Sequence, residues 1–180
     1  MRLVLVGAIG LLIGLLAFGG VSILGRLADD REDPDLAAVR TLAVDTLVFE
    51  HRMGIPDQST LSLLAAGDMT ALRANAEAAA RARYGGPLLA TRIRQAIAAV
   101  DLQVSGEQSV LDGGAKDIVV GAITIDRDRA TVHLRATTWV VMAVPGRPLD
   151  NPMSRNNWIF TLDKVAGRWL VTDTESDFRG

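Results

Sequence analysis

The residue types best suited to acid–base chemistry in this sequence are two histidines and a single tyrosine, His51, His133 and Tyr84. A general base needs a polar partner within hydrogen-bond reach, held in a pocket from which water is excluded. Asp45 precedes His51 by six positions, which places the two side chains about 240° apart around an ideal helix. A local Asp–His dyad is therefore not expected, and we predict no catalytic residue.

Each of these residues also has a structural explanation. His51 falls near the end of the first predicted helix, where it could face the domain interior or interact as a cation with the helix terminus. Tyr84 directly precedes Gly85-Gly86 and is typical of a side chain that anchors a helix end. His133 alternates with apolar residues along a predicted strand, so we expect it on a solvated face. His51 and Tyr84 remain the candidates for ligand binding.

The sequence predicts neither a metal nor a cofactor. A metal site built from His51, His133 and Asp45 would require the two histidines to meet across the domain. The segment Asp126-Arg127-Asp128 begins like a calcium loop but lacks the glycine and the terminal glutamate, so it is predicted to be a hairpin turn. The glycine-rich phosphate-binding motifs and the G-x-S-x-G motif are absent from the sequence. The sequence therefore predicts neither nucleotide binding nor esterase activity.

Composition narrows the class of protein further. The 180 residues are 49% hydrophobic, contain no cysteine and carry a formal net charge of −2. Without cysteine there is no disulfide scaffold, no lipid-modified cysteine and no thiolate metal site. A balanced charge without a block of Lys or Arg argues against a nucleic-acid partner. A single globular domain is the expectation at this length.

Residues 3–25 form an uncharged, predominantly apolar run. As a helix it would be about 34 Å long, enough to cross a hydrocarbon core of ~30 Å. Residues 1–33 are therefore predicted to form a short cytoplasmic N-terminus, a transmembrane anchor and an acidic linker, and residues 34–180 an extracytoplasmic domain of a single-pass cell-membrane protein. The alternatives are a cleaved signal peptide, whose apolar region is usually shorter, and a buried core helix, which is seldom apolar all round.

The remaining sequence changes its period once, from helical spacing to strand spacing. Helices are predicted from Pro34 to the breakers Gly54 and Pro56, and then over about 58–66, 69–84 and 88–100. A turn is predicted at 112–114, followed by two strands joined at 126–128, a polar loop over 145–155 and a second hairpin that turns at 166–167. Helices followed by a meander of strands predict an α+β fold with a curved antiparallel sheet, shaped as a cone.

The closing hairpin contains Gly167, Trp169 and Val171 in a Gly-x-Trp-x-Val pattern. With the order of elements, this resembles the nuclear transport factor two-like superfamily, in which the Trp covers the mouth of the cone. With a single N-terminal anchor, the chain looks most like the Mce-associated membrane proteins of actinobacteria, and it is similar to the single-anchor periplasmic subunits of type IV secretion systems. The resemblance implies an accessory or scaffold subunit and carries over no catalytic residue.

Two surfaces are candidates for binding a protein partner. The helices over 69–100 are rich in arginine. Arg81 and Arg92 are predicted to belong to a basic face that could bind an anionic surface. The strand segment that includes Trp139 and Val141 is apolar on both faces, which suggests cover on both sides, by the chain itself or by another protein.

The function expected from these observations is that of a non-catalytic, membrane-anchored accessory or assembly subunit of an envelope transport or secretion complex. The membrane would be contacted through residues 3–25, and self-association is a further expectation. The alternative is a small-ligand-binding or weakly enzymatic domain whose pocket is lined by the inner faces of residues 36–49 and of the strands.

Overall fold

The computed structural model describes residues 33–147, 149 and 153–177. The chain divides into two units, Met1–Ala37 and Ala38–Gly180. The apolar run at 3–25 lies outside the described residues. Within the described ranges no helix is both long enough and apolar enough to cross a membrane.

In the described part of the chain, four helices are followed by four strands, which confirms the predicted α+β class. The helices are α1 (Pro34–Arg52), α2 (Gln58–Ala66), α3 (Met69–Arg81) and α4 (Gly86–Ser105), and the strands are β1 (Ser109–Asp126), β2 (Arg129–Ala143), β3 (Met153–Val165) and β4 (Arg168–Asp177). All neighbouring strands are antiparallel, in the order β1-β2-β3-β4.

The helix ends follow local capping chemistry. The side chains of Asp57 and Asp68 accept the backbone N–H groups of Thr60 and Ala71, which caps α2 and α3. The hydrogen bond from the Thr60 backbone, followed by those from the Thr60 and Ser59 side chains, lowers the pKa of Asp57 to about 2. The predicted helix over 69–84 ends earlier, at Arg81, because the next residues join the sheet: Arg83 and Gly85 exchange backbone hydrogen bonds with Val171 in β4. The last helix extends beyond the predicted 88–100 at both ends, and it begins earlier because Pro87 is tolerated in its first turn.

The turn predicted at Asp112-Gly113-Gly114 is wrong, because these residues lie within β1. Both glycines are explained by close packing instead of by turn geometry. A Cβ at Gly113 would overlap the backbone carbonyl oxygen of His51 at the end of α1. A Cβ at Gly114 would lie 3.1 Å from the ring of Trp139, its partner across the strand pair.

The two predicted hairpins are confirmed. In the second, Ala166 and Gly167 both have positive φ, at 50° and 77°, as a two-residue turn between twisted strands requires. In β2 the residues at even positions from Ala130 to Thr138 are buried, whereas His133 and Arg135 on the other face are exposed. We call the face with the buried residues the inner face of the sheet and the face with His133 and Arg135 the outer face.

The inner face carries the core, and the helices cover it. Buried side chains of α1 recur at helical spacing, at Val39, Ala43, Thr46 and Leu47. They join a single core cluster with the inner-face residues of the sheet, which include Val132, Leu134, Trp158, Phe160, Leu162, Trp169 and Val171. The helix-facing side of the sheet is therefore occupied by the chain's own side chains.

The contact at Gly113 yields a prediction about stability. Replacing Gly113 with Ala places a methyl group on the His51 carbonyl, so either α1 or β1 must shift. We expect the free energy of unfolding to fall by about 1–3 kcal/mol, the usual cost of overpacking, as measured by urea denaturation.

The matched control is Gly121→Ala in the same strand. A Cβ at Gly121 would lie 3.4 Å from the carbonyl oxygen of His133, an ordinary contact, so this variant should match or exceed wild-type stability. Equal stability of the two variants would contradict the close packing of α1 on β1.

Candidate functional site

A buried carboxylate lies where α1, α4 and the end of α3 approach one another. The Oε1 atom of Glu50 accepts a hydrogen bond from the Tyr84 hydroxyl at 3.0 Å and lies 2.7 Å from a guanidinium nitrogen of Arg92. The same guanidinium donates to the Thr174 hydroxyl in β4 at 3.1 Å and lies 5.4 Å from the centre of the Tyr84 ring. We call Glu50, Tyr84 and Arg92 the Glu50 cluster.

Three different elements position the cluster. Glu50 is brought inward by α1, three residues after the buried Leu47. Tyr84 is fixed because the backbone around it pairs with Val171 of β4, and its side chain is only 1% exposed. Arg92 reaches from α4 between Glu50 and Thr174. The cluster therefore links two helices and the outermost strand of the sheet.

Burial dominates the electrostatics of the cluster. Desolvation raises the pKa of Glu50 above its ordinary value of 4.5, and the opposing charge of Arg92 and the hydrogen bond from Tyr84 offset this only in part. Burial also raises the pKa of Tyr84, with the neighbouring Glu50 charge as the next cause. The phenol thus stays protonated and acts as a donor, and the Glu50 carboxylate is neutralised by Arg92.

The chemistry of this arrangement is that of an internal cross-link. Each member of the cluster is engaged by another member, and Arg92 also donates to Gln95 and Thr174. The exposed fractions of the Glu50 and Arg92 side chains are only 13% and 19%. A group held in this way stabilises the packing of its elements, because removing one partner would leave a buried charge unpaired.

The structure separates the two candidates for ligand binding. Tyr84 belongs to the Glu50 cluster, whereas the Nδ1 atom of His51 lies 2.9 Å from the carbonyl oxygen of Leu47. A carbonyl only accepts, so this contact requires the proton on Nδ1. The His51 ring also meets the Trp158 ring edge-on, with centroids 5.9 Å apart. Asp45 is exposed and His133 lies on the outer face.

The candidate partner surface at Trp139 and Val141 lies at one end of the outer face. Trp139 is half-buried, donates from its indole nitrogen to Asp112 at 3.0 Å and has Gly114 and Met153 as its cross-strand partners. Val141 is half-buried opposite Asp112, and Met153 is 55% exposed. We call Trp139, Val141 and Met153 the outer patch.

The two arginines predicted to represent a basic face lie in different environments. Arg81 is exposed and pairs with Glu77 one turn earlier at 2.7 Å. Arg92 is instead part of the Glu50 cluster, so its charge is directed into the domain. Exposed Arg73 is likewise paired, with Asp101 at 2.9 Å.

A cavity of about 750 Å³ is lined by the four helices and their connections. The pocket predicted from the sequence is lined by the inner faces of residues 36–49 and of the strands. Of these, Asp45, Val48 and Phe49 line the cavity, together with residues of α2, α3 and α4 but no strand residue. The half-buried Arg83 also lines it.

Glu50 and Arg83 are not among the site residues predicted from the sequence. The signal for Glu50 is its position on the buried stripe of α1, three and four residues after Leu47 and Thr46; a carboxylate on such a stripe needs a cation. Arg83 carries no comparable signal, because the pairing of its backbone with β4 depends on tertiary structure.

No protein-family model matches the chain, and no curated protein matches it. Among solved structures, the chain is similar to the intermembrane space region of the chloroplast protein ARC6, with 11% identity, a TM-score of 0.49 and coverage of 68% of this chain and 98% of that one. It is also similar to an NTF2-like protein with a cystatin-like fold from Novosphingobium aromaticivorans, with 16% identity, a TM-score of 0.38 and coverage of 88% of each chain. A SEC-C motif containing protein from Rhodopseudomonas palustris has 17% identity, a TM-score of 0.24 and coverage of 66% and 73%.

The NTF2-like superfamily is thus represented among the similar structures. At these identities and TM-scores the likenesses say nothing about what this chain binds or does.

The raised pKa of Glu50 predicts a pH dependence of stability. The folded state holds the Glu50 proton more tightly than the unfolded chain does, so the wild-type free energy of unfolding falls as pH rises from 4.5 through the raised pKa. A glutamine at position 50 cannot ionise, so the free energy of unfolding of Glu50→Gln lacks this pH-dependent contribution. Urea denaturation at a series of pH values should show wild type losing stability relative to Glu50→Gln toward neutral pH.

Glu77→Gln is the matched control, because Glu77 pairs with Arg81 at the exposed surface of α3. This variant should follow the wild-type pH dependence. Parallel pH profiles of wild type and Glu50→Gln would show that burial does not govern Glu50.

Proposed function

We propose that this chain is a non-catalytic accessory or assembly subunit of a membrane-associated envelope complex, tethered by residues 3–25, with the domain over 34–180 outside the cytoplasm. The observation that carries the proposal is the difference in covering between the two faces of the sheet. The inner face is covered by the chain's own helices, whereas the outer face carries exposed apolar side chains, among them Met153 of the outer patch and Val119 of β1.

The inner face offers little for turnover of a substrate. In its polar cluster Glu50, Tyr84 and Arg92 contact one another, and the buried Nε atom of Arg92 has no hydrogen-bond partner among the described residues. Within the described residues, no three His, Cys, Asp or Glu side chains lie close enough to hold a metal ion together. A role in binding and assembly accords better with this arrangement than acid–base chemistry does.

The outer patch supplies the surface for a protein partner. Large apolar side chains accessible to solvent, beside polar groups such as Asp112 and Lys116, are typical of protein–protein contacts. The flanking strand β1 is an edge of the sheet and has three register shifts along its pairing with β2. Such irregularities hinder indiscriminate pairing at an open edge, which leaves the side chains of the outer patch to select the partner.

The resemblance to particular protein families also supports an accessory role. The Gly167, Trp169 and Val171 pattern and the apolar run at 3–25 resemble the actinobacterial Mce-associated membrane proteins and the single-anchor periplasmic subunits of type IV secretion systems. The accessory role of those families is extended to this chain as part of the proposal.

Site-specific photocrosslinking in intact cells tests the proposal. A benzophenone amino acid at Val141 should give one reproducible crosslinked band with an envelope protein, identified by mass spectrometry. The same probe at His133, on the outer face of the same strand but away from the outer patch, is the matched control and should give no such band.

N-terminal sequencing and membrane fractionation of the same samples test the tether. The proposal expects an intact N-terminus in the membrane fraction. A mature chain that begins after residue 25, or equal crosslinking from Val141 and His133, would refute it.

A further inference from the structure

The helix-lined cavity has the size and wall of a small-molecule site. Its volume of about 750 Å³ falls within the range of ~300–1,000 Å³ typical of ligand pockets. Small side chains of the Ala-rich helix α3, at Ala76 and Ala79, leave this space between the helices. The wall is largely apolar and includes Val48, Phe49, Met53, Ile55, Leu64 and Val100.

The charged residues of the cavity are unevenly placed. Asp45, Arg52 and Asp57 are all exposed, so water screens their charges and they belong to the rim. Asp57 is also engaged in capping α2. Arg83 is the charged lining residue that is not exposed. The interior of the cavity therefore has a positive charge.

The Arg83 side chain is held in place yet incompletely hydrogen-bonded. Its backbone is fixed because the Arg83 carbonyl accepts the N–H of Val171, and its guanidinium lies 4.4 Å from the centre of the Phe49 ring. One Nη1 hydrogen bond goes to the carbonyl oxygen of Ala79. The Nε atom is buried and has no hydrogen-bond partner among the described residues. A guanidinium has five N–H donors and pairs best with a carboxylate.

We propose that this cavity binds a small carboxylate amphiphile, a fatty acid of medium chain length, with its head at Arg83 and its hydrocarbon chain along the apolar wall. The carboxylate would accept from the guanidinium of Arg83, which lines the cavity, and would balance the interior charge. The hydrocarbon chain would cover apolar side chains that are otherwise only half-buried, such as Phe49 and Met53. This site is separate from the outer patch and does not depend on the proposed assembly role.

Isothermal titration calorimetry of the full-length chain with dodecanoate, below its micelle concentration, tests the site. Dodecanoate should bind at one site per chain, and dodecanol should bind about 10-fold or more weakly, because a charge-assisted pair contributes at least that factor. Arg83→Gln should weaken dodecanoate binding by about 10- to 100-fold and leave dodecanol binding unchanged. Arg83→Lys should retain part of the preference for the carboxylate.

Two further variants separate a specific site from adventitious binding. Arg81→Gln is the matched control, because Arg81 is exposed, pairs with Glu77 and does not line the cavity; it should bind dodecanoate as wild type does. Ala76→Phe should weaken binding of both ligands by obstructing the cavity, with circular dichroism verifying the fold. No measurable dodecanoate binding, equal affinity for dodecanol, or equal effects of Arg81→Gln and Arg83→Gln would overturn the proposal.

Discussion

The carboxylate of Glu50 is the constraint on which the arrangement of helices against the sheet depends. A carboxylate that is 13% exposed must be paired, because an isolated buried charge costs several kcal/mol. Here its partners come from separate parts of the chain: Tyr84 from the segment between α3 and α4, and Arg92 from α4, which also reaches Thr174 in β4. Satisfying one carboxylate thus determines where three elements meet.

The same packing divides the molecule into regions with different roles. The inner face of the sheet is occupied by α1, which approaches β1 so closely that Gly113 has no room for a side chain. The outer face carries polar residues such as His133 and Arg135 and exposed apolar ones such as Met153, in the outer patch, and Val119. The cavity is a third region, formed where the short side chains of α3 fail to fill the space between helices. The proposed partner surface and the proposed ligand cavity do not include the residues of the Glu50 cluster.

Much of the fold follows from the sequence, because period and turn chemistry act locally. The α+β order, the hairpin at Ala166-Gly167 and the alternation around His133 were all predictable. The features that depend on contacts between distant residues were not. Gly113 and Gly114 suggested a turn, but they lie inside β1. Glycine is found there because a side chain would collide with the His51 carbonyl at Gly113 and crowd the Trp139 ring at Gly114. Arg92 suggested an exposed basic face, although Glu50, 42 positions earlier, draws it inward.

A double-mutant cycle between Glu50 and Arg92 tests the central claim most directly, with the exposed pair Glu77 and Arg81 as its reference. Glu50→Gln and Arg92→Gln should each lower the free energy of unfolding by about 3–5 kcal/mol, and the double variant should cost clearly less than their sum. The coupling energy should exceed the ~0.3–0.5 kcal/mol expected for the exposed pair. Additive single effects at Glu50 and Arg92 would contradict the claim that this buried pair holds the helices to the sheet.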